Sequence, residues 1–270
     1  MKNKELPHAD KAIGVPERHQ ESFVESLMKN HREDGHRKIE GLELEKSERD
    51  NVLIAFVSDS ADEVLKSYGR KKEINISPDN IHLLKKGGTE EFTEGRLMEA
   101  ANAATLGSIL VDRGTSDQAF AVHLFHELLH VKSYKVLQVT KGEYPEERRI
   151  ESYRDGFGVT TRDGEQKYFE NMEEGVIELL TKRFYEEVVK NSELFEEPEE
   201  PVEFGRKEEV EKLHELIDSL YEDNKDFFST REQIERLFID AQINGRLLPV
   251  ARLIEKTFGK GSFRSLGEEN

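Results

Sequence analysis

The sequence of 270 residues contains no cysteine and no tryptophan. Without cysteine there can be no disulfide, no thiolate metal ligand and no thiol nucleophile. Any metal site must therefore use histidine and carboxylate side chains. The same absence fits a reducing compartment. No apolar run approaches the roughly 18–20 residues of a membrane-spanning helix. The stretch Met1 to Asp10 is charged and lacks the apolar segment of a secretory signal. The expected address is cytoplasmic, with no membrane partner. Apolar side chains are sparse, at 35% against 36% charged residues. A core can form, but polar surface, arms or linkers must be extensive. The formal net charge of −17 argues against nucleic acid as a partner, because phosphates require a basic surface.

Against this background one stretch stands out. Val122 to Val131 reads VHLFHELLHV, with His126-Glu127-Leu128-Leu129-His130 at its centre. Histidines four apart project from one face of a helix, one turn from each other. Two such imidazoles can bind one Zn²⁺, and the glutamate beside the first can face a metal-bound water. Phe120, Val122, Leu124, Phe125, Leu128, Leu129 and Val131 make this helix apolar almost all round, so it is expected to be buried. Thr115-x-x-Gln118 reads as a capping box, and the helix is placed at about 116–138.

The preceding chain divides at about residue 50. Residues 1–50 form a charged arm, expected to be partly ordered, with one short helix around Phe23 to Met28. Its histidines, His8, His19, His31 and His36, lack ligand spacing and read as solvated. Val52 to Val57 reads as a strand, with a buried helix segment as the alternative. Ser58 to Ser60 then caps a helix reaching Tyr68. Ile74 to Ile76, Ile81 to Leu84 and Ser108 to Asp112 read as strands, while 96–105 fits either helix or strand.

After the motif helix come a polar loop over 141–150 and a hairpin around Asp163-Gly164. A second long helix runs from about Met172 to Lys190. Gly175 lies in its first turns at a cost of about 1 kcal/mol relative to alanine, and close approach to another helix would explain it. An acidic linker spans about 191–206, and a helical subdomain spans 207–270.

A catalytic zinc takes three protein ligands. The continuation H-E-x-x-H-x-x-G-x-x-H fails, because Ser133 and Val136 replace the glycine and the third histidine. His214 is a poor substitute within a polar stripe. Carboxylates of the second helix fit better: Glu173, Glu174 and Glu178, with Glu174 preferred as a first-turn residue before Gly175. Glu178 is the alternative ligand, or a residue that orients a histidine. His123, one turn before His126, reads as a buried hydrogen-bonded histidine or an additional site residue.

The pair His126-Glu-Leu-Leu-His130 and Glu174-Gly175 resembles the zincin metallopeptidases of the gluzincin type, and small minimal members in particular. In that family a downstream glutamate completes the site, typically after an asparagine. Here Glu173 occupies that place. The resemblance covers about residues 50–190 (51–190 as a catalytic domain). It implies an α+β, zincin-like fold, with a small mixed or antiparallel sheet packed on the active-site helix. It also implies that Ser108 to Asp112 is the edge strand that aligns a peptide or protein substrate. The expected function is zinc-dependent hydrolysis of peptide bonds through a metal-activated water. His126, His130 and Glu174 would be ligands and Glu127 the general base. Oxyanion donors are sought among Tyr153, Tyr168, Tyr185 and His214. Tyr185 is about 16 Å along the helix from Glu174 and so is disfavoured. The alternatives are a zincin-fold metal-binding or regulatory protein with little peptidase activity, and a helical interaction protein in which the motif is coincidental.

Overall fold

A computed structural model describes residues 9–14, 16, 41–92, 100–103, 108–113, 116–140, 149–163, 166–196 and 201–268. The expected helix around Phe23 to Met28, the four arm histidines and the loop at 141–148 lie outside them. The fold is α+β. Helices dominate, and the strands form two small sheets rather than one.

The first sheet has strand order β2-β4-β3, built from β2 (Ile81–Leu84), β3 (Ala100–Ala103) and β4 (Ser108–Asp112). β4 runs parallel to β2, with Ile81 opposite Ile109, and antiparallel to β3, with Ala100 opposite Val111. All five residues of β4 are buried. A strand paired on both sides and covered on both faces reads as a continuous apolar run. Ser108 to Asp112 is therefore the central strand, and β2 and β3 are the edges. This corrects the expectation drawn from the resemblance.

Val52 to Val57 belongs to helix α1 (Glu48–Ser67), not to a strand. Val52 is half exposed, whereas Leu53, Ile54, Val57, Ala61 and Leu65 are buried. That spacing is helical. The cap is Ser47, in a reciprocal capping box with Asp50, so the predicted start at Ser58 to Ser60 falls inside the helix. Ile74 to Ile76 forms no strand. After a five-residue helix α2 (Gly88–Phe92), the motif helix α3 spans Asp117–Lys132. Its cap is Ser116, which accepts from Ala119 N, a simple cap in place of the box expected at Thr115, which lies outside the described residues. Gln118 instead bonds the carbonyl of Glu196. The helix also ends before 138, because Lys135 to Thr140 is a strand, β5.

β5 lies in the second sheet, of order β1-β5-β6-β7-β8. Its other strands are β1 (Lys11–Ile13), β6 (Arg149–Asp155), β7 (Gly158–Thr160) and β8 (Lys167–Tyr168). The hairpin expected around Asp163-Gly164 joins β7 and β8. β8 leads into α4 (Glu170–Phe184), which continues as a π-helical turn through Val189. The C-terminal helices are α5 (Lys207–Asp223), α6 (Arg231–Asn244), α7 (Leu247–Phe258) and α8 (Ser262–Glu268).

One cluster of buried side chains runs through α1, α3, α4 and α5 to α7. Buried Lys132 at the end of α3 reaches Asp62 of α1 at 2.6 Å. The start of α4 is fixed by Phe169, which adopts φ 64°. For a bulky residue that conformation is strained. Its N–H donates to the carbonyl of Gly267, and its ring stacks on Phe263, so α8 holds it in place. Among the described residues no helix is long and apolar enough to cross a membrane.

Gly175 does mark a close approach, but to α5 rather than to the motif helix. A Cβ at this position would stand 2.8 Å from the carbonyl oxygen of Glu209. Alanine would normally gain about 1 kcal/mol over glycine inside a helix. Overlap with backbone that cannot yield costs about 1–3 kcal/mol and outweighs it. Gly175→Ala is therefore expected to lower the urea midpoint. A raised midpoint would mean that α4 and α5 do not meet there.

Candidate metal centre

α3 and α4 are joined below the site by Phe125 stacked on Phe184, with ring centroids 4.0 Å apart and planes within 4°. One turn of α3 presents His126 and His130. The first turns of α4 present Glu173, Glu174 and Glu178. The two Nε2 atoms lie 3.1 Å apart. Oε2 of Glu174 lies 3.4 Å from that of His126 and 3.7 Å from that of His130. These three residues form a cluster that could hold a metal ion. His123, Glu173 and Glu178 are not part of it. With edges of 3.1, 3.4 and 3.7 Å, the triangle contains a point about 2 Å from each atom, matching zinc bonds to imidazole and carboxylate of about 2.0–2.2 Å.

The far side of each ring explains why the nitrogens face one another. Nδ1 of His126 is 3.2 Å from Oε2 of Glu178, and Nδ1 of His130 is 3.1 Å from Oε1 of Glu173. An ionised carboxylate only accepts, so each Nδ1 carries a hydrogen. In the neutral rings both Nε2 atoms are then bare lone pairs. Together with the carboxylate of Glu174, three acceptors converge; Arg206 Nε approaches Glu174 Oε2 to 3.4 Å but makes no hydrogen bond to it. Glu174 Oε2 is buried and receives no hydrogen bond while both rings are neutral. Only a cation, metal or proton, satisfies such a group. The donor set and its spacing therefore fit a divalent metal.

Without metal, protons take that role. Burial by itself would lower both histidine pKa values. For His126 the bonds toward Glu174 and Glu178 outweigh it, and for His130 the charge of Glu174 and the bond to Glu173 do so more strongly. Both are raised. Burial pushes the Glu174 carboxyl upward, but the two histidines overcome it and hold the group well below the usual carboxylate range. Burial pushes Glu173 up, and His130 offsets this only in part.

Glu127 is 6% exposed and its carboxylate has no hydrogen-bond partner among the described residues, though its charge is felt by His126. None of the expected oxyanion donors pairs with the cluster among the described contacts. Tyr168 Oη donates to Gln166, Tyr185 packs on Phe204, and His214 Nδ1 sits 2.6 Å from Arg231. Tyr153 lies on β6, in the second sheet. One role and one participant escaped the sequence reading. Glu173, taken there as a departure from the family pattern, orients His130. Gly158 provides its space, since a Cβ there would stand 2.3 Å from Glu173 Oε2. The other is Arg206, whose Nε lies 3.4 Å from Glu174 Oε2. Neither has a local sequence signal, because both depend on which elements become neighbours.

No protein-family model, no curated protein and no solved structure matches this chain.

Removing either orienting carboxylate, by Glu173→Ala or Glu178→Ala, is expected to weaken zinc binding about 10–100-fold. Competition with a chromophoric chelator measures this, and unchanged affinity in both variants would show that the carboxylates do not orient the rings. A pH dependence also follows from the raised histidine pKa values. In the metal-free protein the imidazolium contribution is complete below about pH 6.5 and disappears as the pH rises through the raised values. The lowered Glu174 contributes above about pH 4.5 and fades as the pH falls. Protons and metal compete for the same lone pairs, so the rise in Tm on adding zinc should grow between about pH 6 and pH 8. A constant rise across that range would contradict this account.

Proposed function

We propose that the chain is a zinc-dependent metallopeptidase of the gluzincin type. The observation that carries this reading is the convergence of His126 Nε2, His130 Nε2 and Glu174 Oε2, with buried Glu127, which has no hydrogen-bond partner among the described residues, next to His126 in the helix. Two imidazoles and one carboxylate suit zinc, and three protein ligands leave a position for a reactant. When bound, the metal supplies a Lewis acid that polarises a carbonyl and makes water more acidic.

The protein's own groups supply the rest. Glu173 and Glu178 fix the ring orientations of His130 and His126. Glu127 takes a proton from the attacking water and delivers it to the leaving amine nitrogen. The substrate is a peptide or protein segment in extended form. β3 is an edge of its sheet, and no described strand pairs with its free side, so its backbone can pair with such a segment.

The decisive experiment combines metal analysis with Glu127→Gln. Metal-replete expression should give about one zinc per chain. Glu127→Gln should retain that zinc and lose at least about 10²–10⁴-fold in kcat on a peptide library. Wild-type activity in the variant would remove the general-base role. Stoichiometric zinc without hydrolysis in the natural chain would leave a metal-binding protein and end the peptidase reading. Less than a tenth of an equivalent of zinc would end both.

A further inference from the structure

Arg206 closes the linker and caps the N-terminus of α5, the helix brought against α4 at Gly175. Its backbone N–H points at Oε1 of Glu178, 3.5 Å away. Its side chain turns the other way along the same helix, placing Nε 3.4 Å from Glu174 Oε2 and Nη1 3.4 Å from Glu209 Oε1. The Arg206 side chain is 43% exposed, so it bridges solvent and the buried cluster.

The long distances are informative. A guanidinium serving only to neutralise a carboxylate normally forms paired bonds of about 2.7–2.9 Å. Arg206 forms no such pair with Glu174. Among the described residues its one side-chain hydrogen bond is the weak one to Glu209, so most of its five N–H donors are unspent there. They are held beside the carboxylate oxygen of the cluster, where an anionic or carbonyl oxygen of a bound molecule would lie within reach. No other cationic side chain among the described residues pairs with a member of the cluster.

We infer that Arg206 is the oxyanion-binding residue of this site. The inference rests on the peptidase reading above. In the hydrolysis the water oxygen forms a bond to the scissile carbonyl carbon while Glu127 accepts the water proton. The carbonyl π pair moves onto its oxygen, which becomes negative, and Arg206 donates to that oxygen. When the carbonyl re-forms, the C–N bond breaks, its electron pair stays on nitrogen, and Glu127 returns the proton there. The products are a carboxylic acid group and an amine. Arg206 thus fills the role sought among Tyr153, Tyr168, Tyr185 and His214, none of which pairs with His126, His130 or Glu174 as Arg206 does.

The experiment uses the full chain loaded with Co²⁺, with inorganic phosphate as the anionic probe and the visible absorption of cobalt as the readout. Arg206→Gln should keep its metal content and metal affinity, bind phosphate at least about tenfold more weakly, and lose roughly 10²–10³ in kcat with little change in KM. Arg206→Lys should recover part of both losses, which also guards against a folding defect. Unchanged phosphate affinity in metal-loaded Arg206→Gln would overturn the assignment. Loss of metal in step with loss of phosphate binding would overturn it too, and make Arg206 a positioning residue for Glu174. A natural chain that binds no cobalt would sink this inference together with the metallopeptidase reading. A chain that binds cobalt and holds phosphate through Arg206, yet hydrolyses no peptide, would end the peptidase reading and the oxyanion role, leaving anion binding alone.

Discussion

Three lone pairs aimed at one point cannot remain so without a cation between them. That constraint governs the centre of this protein. Two imidazole nitrogens stand 3.1 Å apart, each with its other nitrogen committed to a carboxylate, and a buried carboxylate oxygen completes the triangle. In water such groups would turn away and hydrate. Here the cost of turning is packing. Phe125 and Phe184 lock the two helices face to face, and residues on every side of α3 are buried. The strain is electrostatic, and it is held by an apolar core.

The surrounding architecture can be understood as support for that arrangement. α4 carries all three carboxylates, so one helix sets both the ligand and the two ring orientations. Its start is forced by Phe169 in a left-handed conformation, braced by α8. Its side is met by α5 at Gly175. That contact brings Arg206, a residue 32 positions later than Glu174, to the same carboxylate oxygen. The C-terminal helices therefore share the core of the site-bearing helices.

The local parts of the centre were legible in the sequence because helical period alone places them. His126, Glu127 and His130 share a turn. Glu174 and Glu178 share a face, and their separate tasks follow from which nitrogen each meets. Parts built by long-range pairing were not legible. Six apolar residues from Val52 to Val57 resemble a buried strand, and the helical spacing of Leu53, Val57, Ala61 and Leu65 shows only over a longer window. Ser108 to Asp112 has the composition of a strand, but composition does not say whether a strand is central or at an edge. Glu173 looked like a flaw in a motif. It acquires its role from Gly158 on a strand that sequence reasoning had no means of placing beside it.

The brace on Phe169 also fixes an order in time. Phe169 and Gly267 are about a hundred residues apart in the chain, so a ribosome working at roughly 5–20 residues per second makes the second some 5–20 s after the first. Until then the first turn of α4 lacks the contact that holds its strained residue. The histidines and carboxylates are all synthesised before the piece that seats them. The cluster of His126, His130 and Glu174 is therefore made before the contact that seats the helix bearing its carboxylate, and it is completed only once α8 has docked.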